Sequence, residues 1–80
     1  MPLKGSMSDF DIVLRLAIIN DIYTSSKRVL TRIKHFRGVA SPEMLEKLNL
    51  IYYSKYPKMA INMVVQNFEV GTNGRKVKHT

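Results

Sequence analysis

The sequence predicts a small all-α protein, a bundle of about four helices in a single domain. Apolar residues recur at helical spacing, Ser and Pro stand where helices would begin, and only short polar or glycine-containing breaks separate the periodic segments. A chain of 80 residues without cysteine has a thin stability margin and no disulfide to support it. Because such domains often gain the missing burial by association, we expect homodimerisation to complete the bundle.

The chain is expected to contain one folded unit between two short flanking segments. Gly5-Ser6 directly before Met7 has the composition of a cloning junction. Residues 1–7 are therefore predicted to be a cloning remnant or a disordered start, and residues 8–71 to form the helical domain. Residues 72–80 lack apolar periodicity and end in a basic run, so we interpret them as a disordered tail.

The first helix is predicted over residues 9–23. Ser8 is its expected N-cap, and Asp11 follows at capping-box spacing and at ion-pair spacing from Arg15. The segment is apolar almost all round, which is typical of a helix buried on more than one side. A β-strand over residues 12–19 is the alternative, because β-branched residues are frequent there and short apolar runs do not discriminate.

The second helix is predicted to be basic and amphipathic, from Lys27 to Arg37, with Gly38 as its stop. The hydroxyls of residues 24–26 precede it and supply an N-cap. Its apolar stripe is formed by Val29, Leu30, Ile33 and Phe36. Cations occupy most of the remaining surface of the helix.

Two further helices are predicted to begin at prolines. Ser41-Pro42-Glu43 combines an N-cap, a first-turn proline and a first-turn acid, which predicts a helix over residues 42–54. Tyr56-Pro57 starts the next helix, over residues 57–70, and Gly71 is its expected stop. Both helices carry apolar residues beyond their predicted core faces, and four of these are predicted to meet a partner: Leu50, Tyr53, Met59 and Met63.

The residue inventory argues against an enzyme. Only six carboxylates are present, and most are explained by first-turn positions or by exposure, so no paired acid and base is indicated. The glycines do not form the spaced cluster of a phosphate-binding loop. His35 and His79 are too far apart to share a helix face, and we expect neither a metal ion nor a cofactor.

The formal net charge of +7 is distributed unevenly. Residues 22–37 hold five lysines or arginines and no acid, and residues 75–80 add three more cations. This pattern predicts a small regulatory or accessory protein that binds nucleic acid, duplex DNA above all, mainly through the phosphate backbone. The predicted contact residues are Lys27, Arg28, Arg32, Lys34, His35, Arg37, Arg75, Lys76 and Lys78.

Other interpretations stay open. A basic helix face is often only solvated surface. Alternatively, the chain is an adaptor or inhibitor that docks on an acidic protein through apolar surface of the first and fourth predicted helices. An anionic membrane surface ranks last, and no segment is apolar for long enough to span a bilayer, so a cytoplasmic, nucleoid or nuclear location is expected.

Overall fold

The structure is a computed structural model that describes residues 6–78, with side chains described over residues 6–68. This part of the chain forms four α-helices: α1 (Asp9–Ile22), α2 (Ser26–Phe36), α3 (Pro42–Tyr52) and α4 (Pro57–Lys78). No residue in the described range is in a β-strand. The predicted all-α bundle is therefore confirmed, and the strand alternative for the first segment is wrong.

Local signals fix where the helices begin. Ser8 Oγ accepts a hydrogen bond from Asp11 N, and Ser41 Oγ accepts one from Met44 N, each at 3.1 Å. These bonds satisfy backbone N–H groups that have no partner within their own helix. Pro57 begins α4, where a missing N–H removes no helical hydrogen bond.

The start of α1 is joined to the start of α3. Ser41 Oγ donates to Asp9 Oδ1 at 2.9 Å, so one hydroxyl caps α3 and contacts the first turn of α1. Just before α1, Met7 N donates to Val39 O at 2.9 Å, and the Met7 side chain packs against the core. Met7 is therefore part of the fold, although the sequence placed it in a remnant or disordered start; residues 1–5 lie outside the described residues.

All four helices contribute side chains to one core. Its position follows from apolar spacing on each helix, and its buried members are Ile12, Val13, Leu16, Val29, Ile33, Met44, Leu48, Ile51 and Ile61. The most extensive helix pairing is between α1 and α4, and α4 also packs against α2 and α3. Phe10 and Phe68 meet across the α1–α4 pair, with ring centroids 6.2 Å apart.

A polar cluster joins the end of α1 to the start of α4. Lys58 Nζ donates to the carbonyl oxygens of Asn20 and Tyr23, the latter at 2.6 Å, and to Asn20 Oδ1 at 3.1 Å. In return, Asn20 Nδ2 donates to Lys58 O at 3.1 Å and to Asn62 Oδ1 at 2.8 Å. Carbonyls in the last turn of a helix lack intrahelical donors, and a cation there also interacts favourably with the helix dipole. The cluster therefore ends α1 and fixes the position of Tyr23.

The C-terminal boundary of α4 differs from the predicted one. The helix continues through Gly71 to Lys78, whereas the sequence placed its end at Val70. Glycine costs a helix interior about 1 kcal/mol relative to alanine, which weakens a helix without breaking it. No proline follows to enforce a stop. Side chains of residues 69–78, and residues 79–80 altogether, lie outside the described residues, so the tail predicted over residues 72–80 has no contacts to assign.

Candidate nucleic-acid interface

Helix α2 is held in the bundle by one apolar face. Val29 and Ile33 are fully buried, and Leu30 and Phe36 are half-buried against the core. This burial fixes the rotation of the helix about its axis and so fixes the direction of every other side chain on it. The polar side chains that consequently face solvent are Lys27, Arg28, Thr31, Arg32, Lys34 and His35.

Within residues 6–68, the basic side chains of α2 form no ion pairs with carboxylates. The side chains of Lys27, Arg28, Lys34 and His35 form neither ion pairs nor hydrogen bonds with any described group. Each of these four side chains is exposed. The face therefore keeps its positive charge available for an external anion.

Three of these side chains form a row on the side of α2 that faces α1. Arg28, Arg32 and His35 follow one another at four and three residues, which is the spacing of neighbours along one helix face. Together with Tyr23 and Thr31 they line an open cavity of about 280 Å³. An anion placed there would meet two guanidinium groups, an imidazole and two hydroxyl groups.

Tyr23 holds Arg32 in a defined position. Arg32 Nη2 donates to Tyr23 Oη at 2.8 Å, and the guanidinium carbon lies 5.4 Å from the centroid of the Tyr23 ring. Arginine has further N–H donors that this single bond does not use. The arrangement therefore orients a guanidinium group before any ligand is bound, which lowers the entropic cost of binding.

Arg15 of α1 also reaches this region. Within the described residues it forms no ion pair with Asp11, although their spacing predicted one. It lines a second open groove, of about 400 Å³, between α1 and α2, together with Arg32 and His35. Sequence reasoning missed both Arg15 and Tyr23, because their approach to α2 depends on how α1 packs and no local pattern signals it.

The other predicted phosphate contacts are separated from this row. Lys27 and Lys34 project from the opposite flank of α2, two helical turns apart, and line neither cavity. Arg37 is half-buried, and its guanidinium carbon lies 5.3 Å from the centroid of the Tyr52 ring on α3. Arg37 therefore connects α2 to α3 through a cation–π contact. The last three predicted contacts, Arg75, Lys76 and Lys78, have side chains outside the described residues.

The predicted partner-facing residues are all solvent-exposed. Leu50, Tyr53, Met59 and Met63 are between 59 and 74% exposed. The first two lie at the end of α3 and the other two lie on α4, and no described ring contact or hydrogen bond joins the two pairs. A further apolar stripe lies on α1 and is formed by Leu14, Ile18 and Ile22, which are 48 to 64% exposed. The sequence indicated spare apolar surface on the first helix without singling out these residues.

No protein-family model, no curated protein and no solved structure matches this chain. Among the described residues, no cluster of His, Asp and Glu side chains is arranged to hold a metal ion. Nor does any helix over that range combine the length and apolarity needed to cross a bilayer.

Proposed function

We propose that this protein binds nucleic acid through the exposed cations of α2, chiefly by contacts to phosphates, and acts as a regulatory or accessory protein without catalytic activity. The observation that carries the proposal is the unpaired state of Lys27, Arg28, Lys34 and His35 on a helix whose opposite face is buried. A nucleic-acid partner implies a cytoplasmic, nucleoid or nuclear location.

The physical basis is electrostatic. Duplex DNA carries about one negative charge per 1.7 Å of helix axis, and each phosphate that a lysine or arginine neutralises releases condensed counterions. Helix α2 presents such cations on both flanks, with the Arg28 row on one side and Lys27 and Lys34 on the other. Contacts of this kind position a protein on the duplex without reading its sequence, so we expect little base preference.

Matched charge reversals test the proposal. Arg28→Glu with Lys34→Glu removes one cation from each flank of α2 and leaves the Arg32–Tyr23 hydrogen bond intact. Lys47→Glu with Lys55→Glu changes the net charge by the same amount at exposed positions outside α2. We expect the α2 pair to weaken binding to a fluorescent duplex by tenfold or more, about 1.4 kcal/mol or above, and the control pair to weaken it far less. If the two pairs lose the same amount of duplex affinity, the effect comes from net charge alone, and a binding site on α2 is contradicted.

The alternative function, a protein-binding adaptor or inhibitor, rests on a different observation. Leu50, Tyr53, Met59 and Met63 expose large apolar side chains that the bundle does not cover. If they form a partner or homodimer interface, Leu50→Asp or Tyr53→Asp should leave the helical circular dichroism unchanged and abolish the association. Sedimentation velocity measures self-association directly, and identical sedimentation of the wild type and both variants would exclude these positions from a homodimer interface.

A further inference from the structure

The groove between α1 and α2 is lined by apolar side chains, which we call its floor, and by basic side chains, which we call its rim. Ile18, Ile19 and Ile22 of α1 and Phe36 of α2 contribute its apolar surface. Arg15 contributes to the rim from α1, and Arg32 and His35 contribute from α2. Among the side chains that the structure describes, no carboxylate lines the groove. Phosphate binding by the outer face of α2 would not involve the apolar side chains of the groove.

The apolar surface extends along α1 beyond the groove. Leu14, Ile18 and Ile22 recur every four residues, and each is about half exposed or more. At about 1.5 Å rise per residue, the stripe is roughly 12 Å long. Its side chains are aliphatic and aligned in a row, which suits an elongated partner that places several apolar groups side by side, as in helix-in-groove recognition.

The basic side chains of the rim favour a ligand that carries negative charge. A second copy of the chain would bring another formal charge of +7 to this cationic rim. Duplex nucleic acid supplies phosphates but keeps its bases stacked, and its exposed apolar groups are chiefly thymine methyls inside the major groove, so it presents little apolar surface to the isoleucines. We propose that the groove binds an acidic amphipathic helix of a protein partner, with apolar residues on the floor and carboxylates beside Arg15, Arg32 and His35.

A helix bound in the groove would interfere with the proposed binding of nucleic acid. This competition rests on the proposed function, phosphate binding by α2. Arg32 and His35 line both the groove and the cavity that contains Arg28. A helix seated in the groove would cover two of the groups assigned to phosphate binding. The protein partner and nucleic acid would then compete, and each would weaken the other's affinity by the same factor.

A designed peptide tests the groove directly. The probe is a synthetic helix of about four turns, with leucine along one face and glutamate on the flanking positions; in the control peptide, lysine replaces each glutamate. Titration of the isotope-labelled wild-type protein should shift the backbone amide signals of Ile18, Ile22 and Phe36 with the acidic peptide, and leave them in place with the basic one.

A matched pair of double variants tests the apolar floor. Ile18→Gln with Ile22→Gln should weaken binding of the acidic peptide by about tenfold or more. Leu50→Gln with Met59→Gln, at exposed apolar positions that do not line the groove, should leave peptide binding unchanged. Thermal melts of both pairs establish that the fold is retained, and the wild-type titration stands independently of any variant. Duplex binding, measured in parallel, should persist in both pairs.

Several results would overturn the groove assignment. The assignment is overturned if the acidic peptide leaves the three amide signals unmoved, or if both variant pairs weaken peptide binding equally. Self-association lost only in the Ile18 and Ile22 pair, with no peptide binding, would make a second copy the occupant. Movement of the same signals by a single-stranded oligonucleotide in place of the peptide would assign the floor to unpaired bases. If the wild-type protein binds the duplex but not the acidic peptide, this inference is rejected and the proposed function stands. If the wild-type protein does not bind the duplex, the proposed function is rejected.

Discussion

Lys58, a residue of α4, caps the C-terminal end of α1. Its ammonium group donates to the Asn20 and Tyr23 carbonyls, which have no donors of their own at the end of α1. The Asn20 side-chain amide in turn donates hydrogen bonds to Lys58 O and to Asn62 Oδ1. Because Tyr23 in turn holds Arg32, this half-buried lysine sets the position of a side chain in the candidate interface.

Replacing Lys58 by methionine should destabilise the fold. The substitution keeps most of the length of the side chain but leaves the two carbonyl oxygens without their donor, which costs about 1–3 kcal/mol. Lys47→Met, at an exposed position on α3, is the control and should change the free energy of unfolding by no more than about 0.5 kcal/mol. Urea denaturation measures both, and equal midpoints for the two variants would mean that the Lys58 contacts contribute nothing.

Single residues differ in how well the sequence reveals their roles. Ser8 and Ser41 were predictable as helix caps because a cap contacts backbone within three residues of itself. The contact of Ser41 with Asp9 and that of Lys58 with Asn20 each span more than thirty residues. Nothing in the local sequence encodes such pairs, since they depend on which helices become neighbours.

Among the helices, the buried and exposed faces of α2 could be predicted from the sequence, whereas for α4 only the first residue could be. The apolar stripe of α2 is short and regular, so burial of Val29 and Ile33 and exposure of the cations followed from its periodicity. The end of α4 was misplaced because Gly71 resembles a helix stop. Glycine stops a helix only where the backbone turns left-handed, and a local pattern does not say whether it does.

Gly71→Ala distinguishes the two descriptions of α4. If the helix passes through position 71, as in the structure, alanine should raise stability by up to about 1 kcal/mol and increase the helical circular dichroism. If Gly71 instead ended the helix in a left-handed conformation, alanine would be strained there and would lower stability. A lower melting temperature for Gly71→Ala would therefore contradict the continuous helix.

The whole molecule combines a buried apolar centre with an uneven surface. The interior is formed by side chains from all four helices, with α4 packed against the other three. Helical periodicity predicted most of that interior, whereas the arrangement of the helices, and with it the α1–α2 groove, could not be predicted. Arg15 and Tyr23 join the α2 cations only because α1 lies beside α2.

The salt dependence of duplex binding tests the central proposal, that α2 neutralises phosphates, most directly. Each phosphate contact on duplex DNA contributes about 0.9 to the slope of log affinity against log salt. The wild-type protein should therefore bind a duplex with a steep negative slope, and Arg28→Glu with Lys34→Glu should reduce its magnitude by about two, while Lys47→Glu with Lys55→Glu leaves it nearly unchanged. A wild-type affinity that does not vary with salt, or a slope that the α2 substitutions do not alter, would contradict the account.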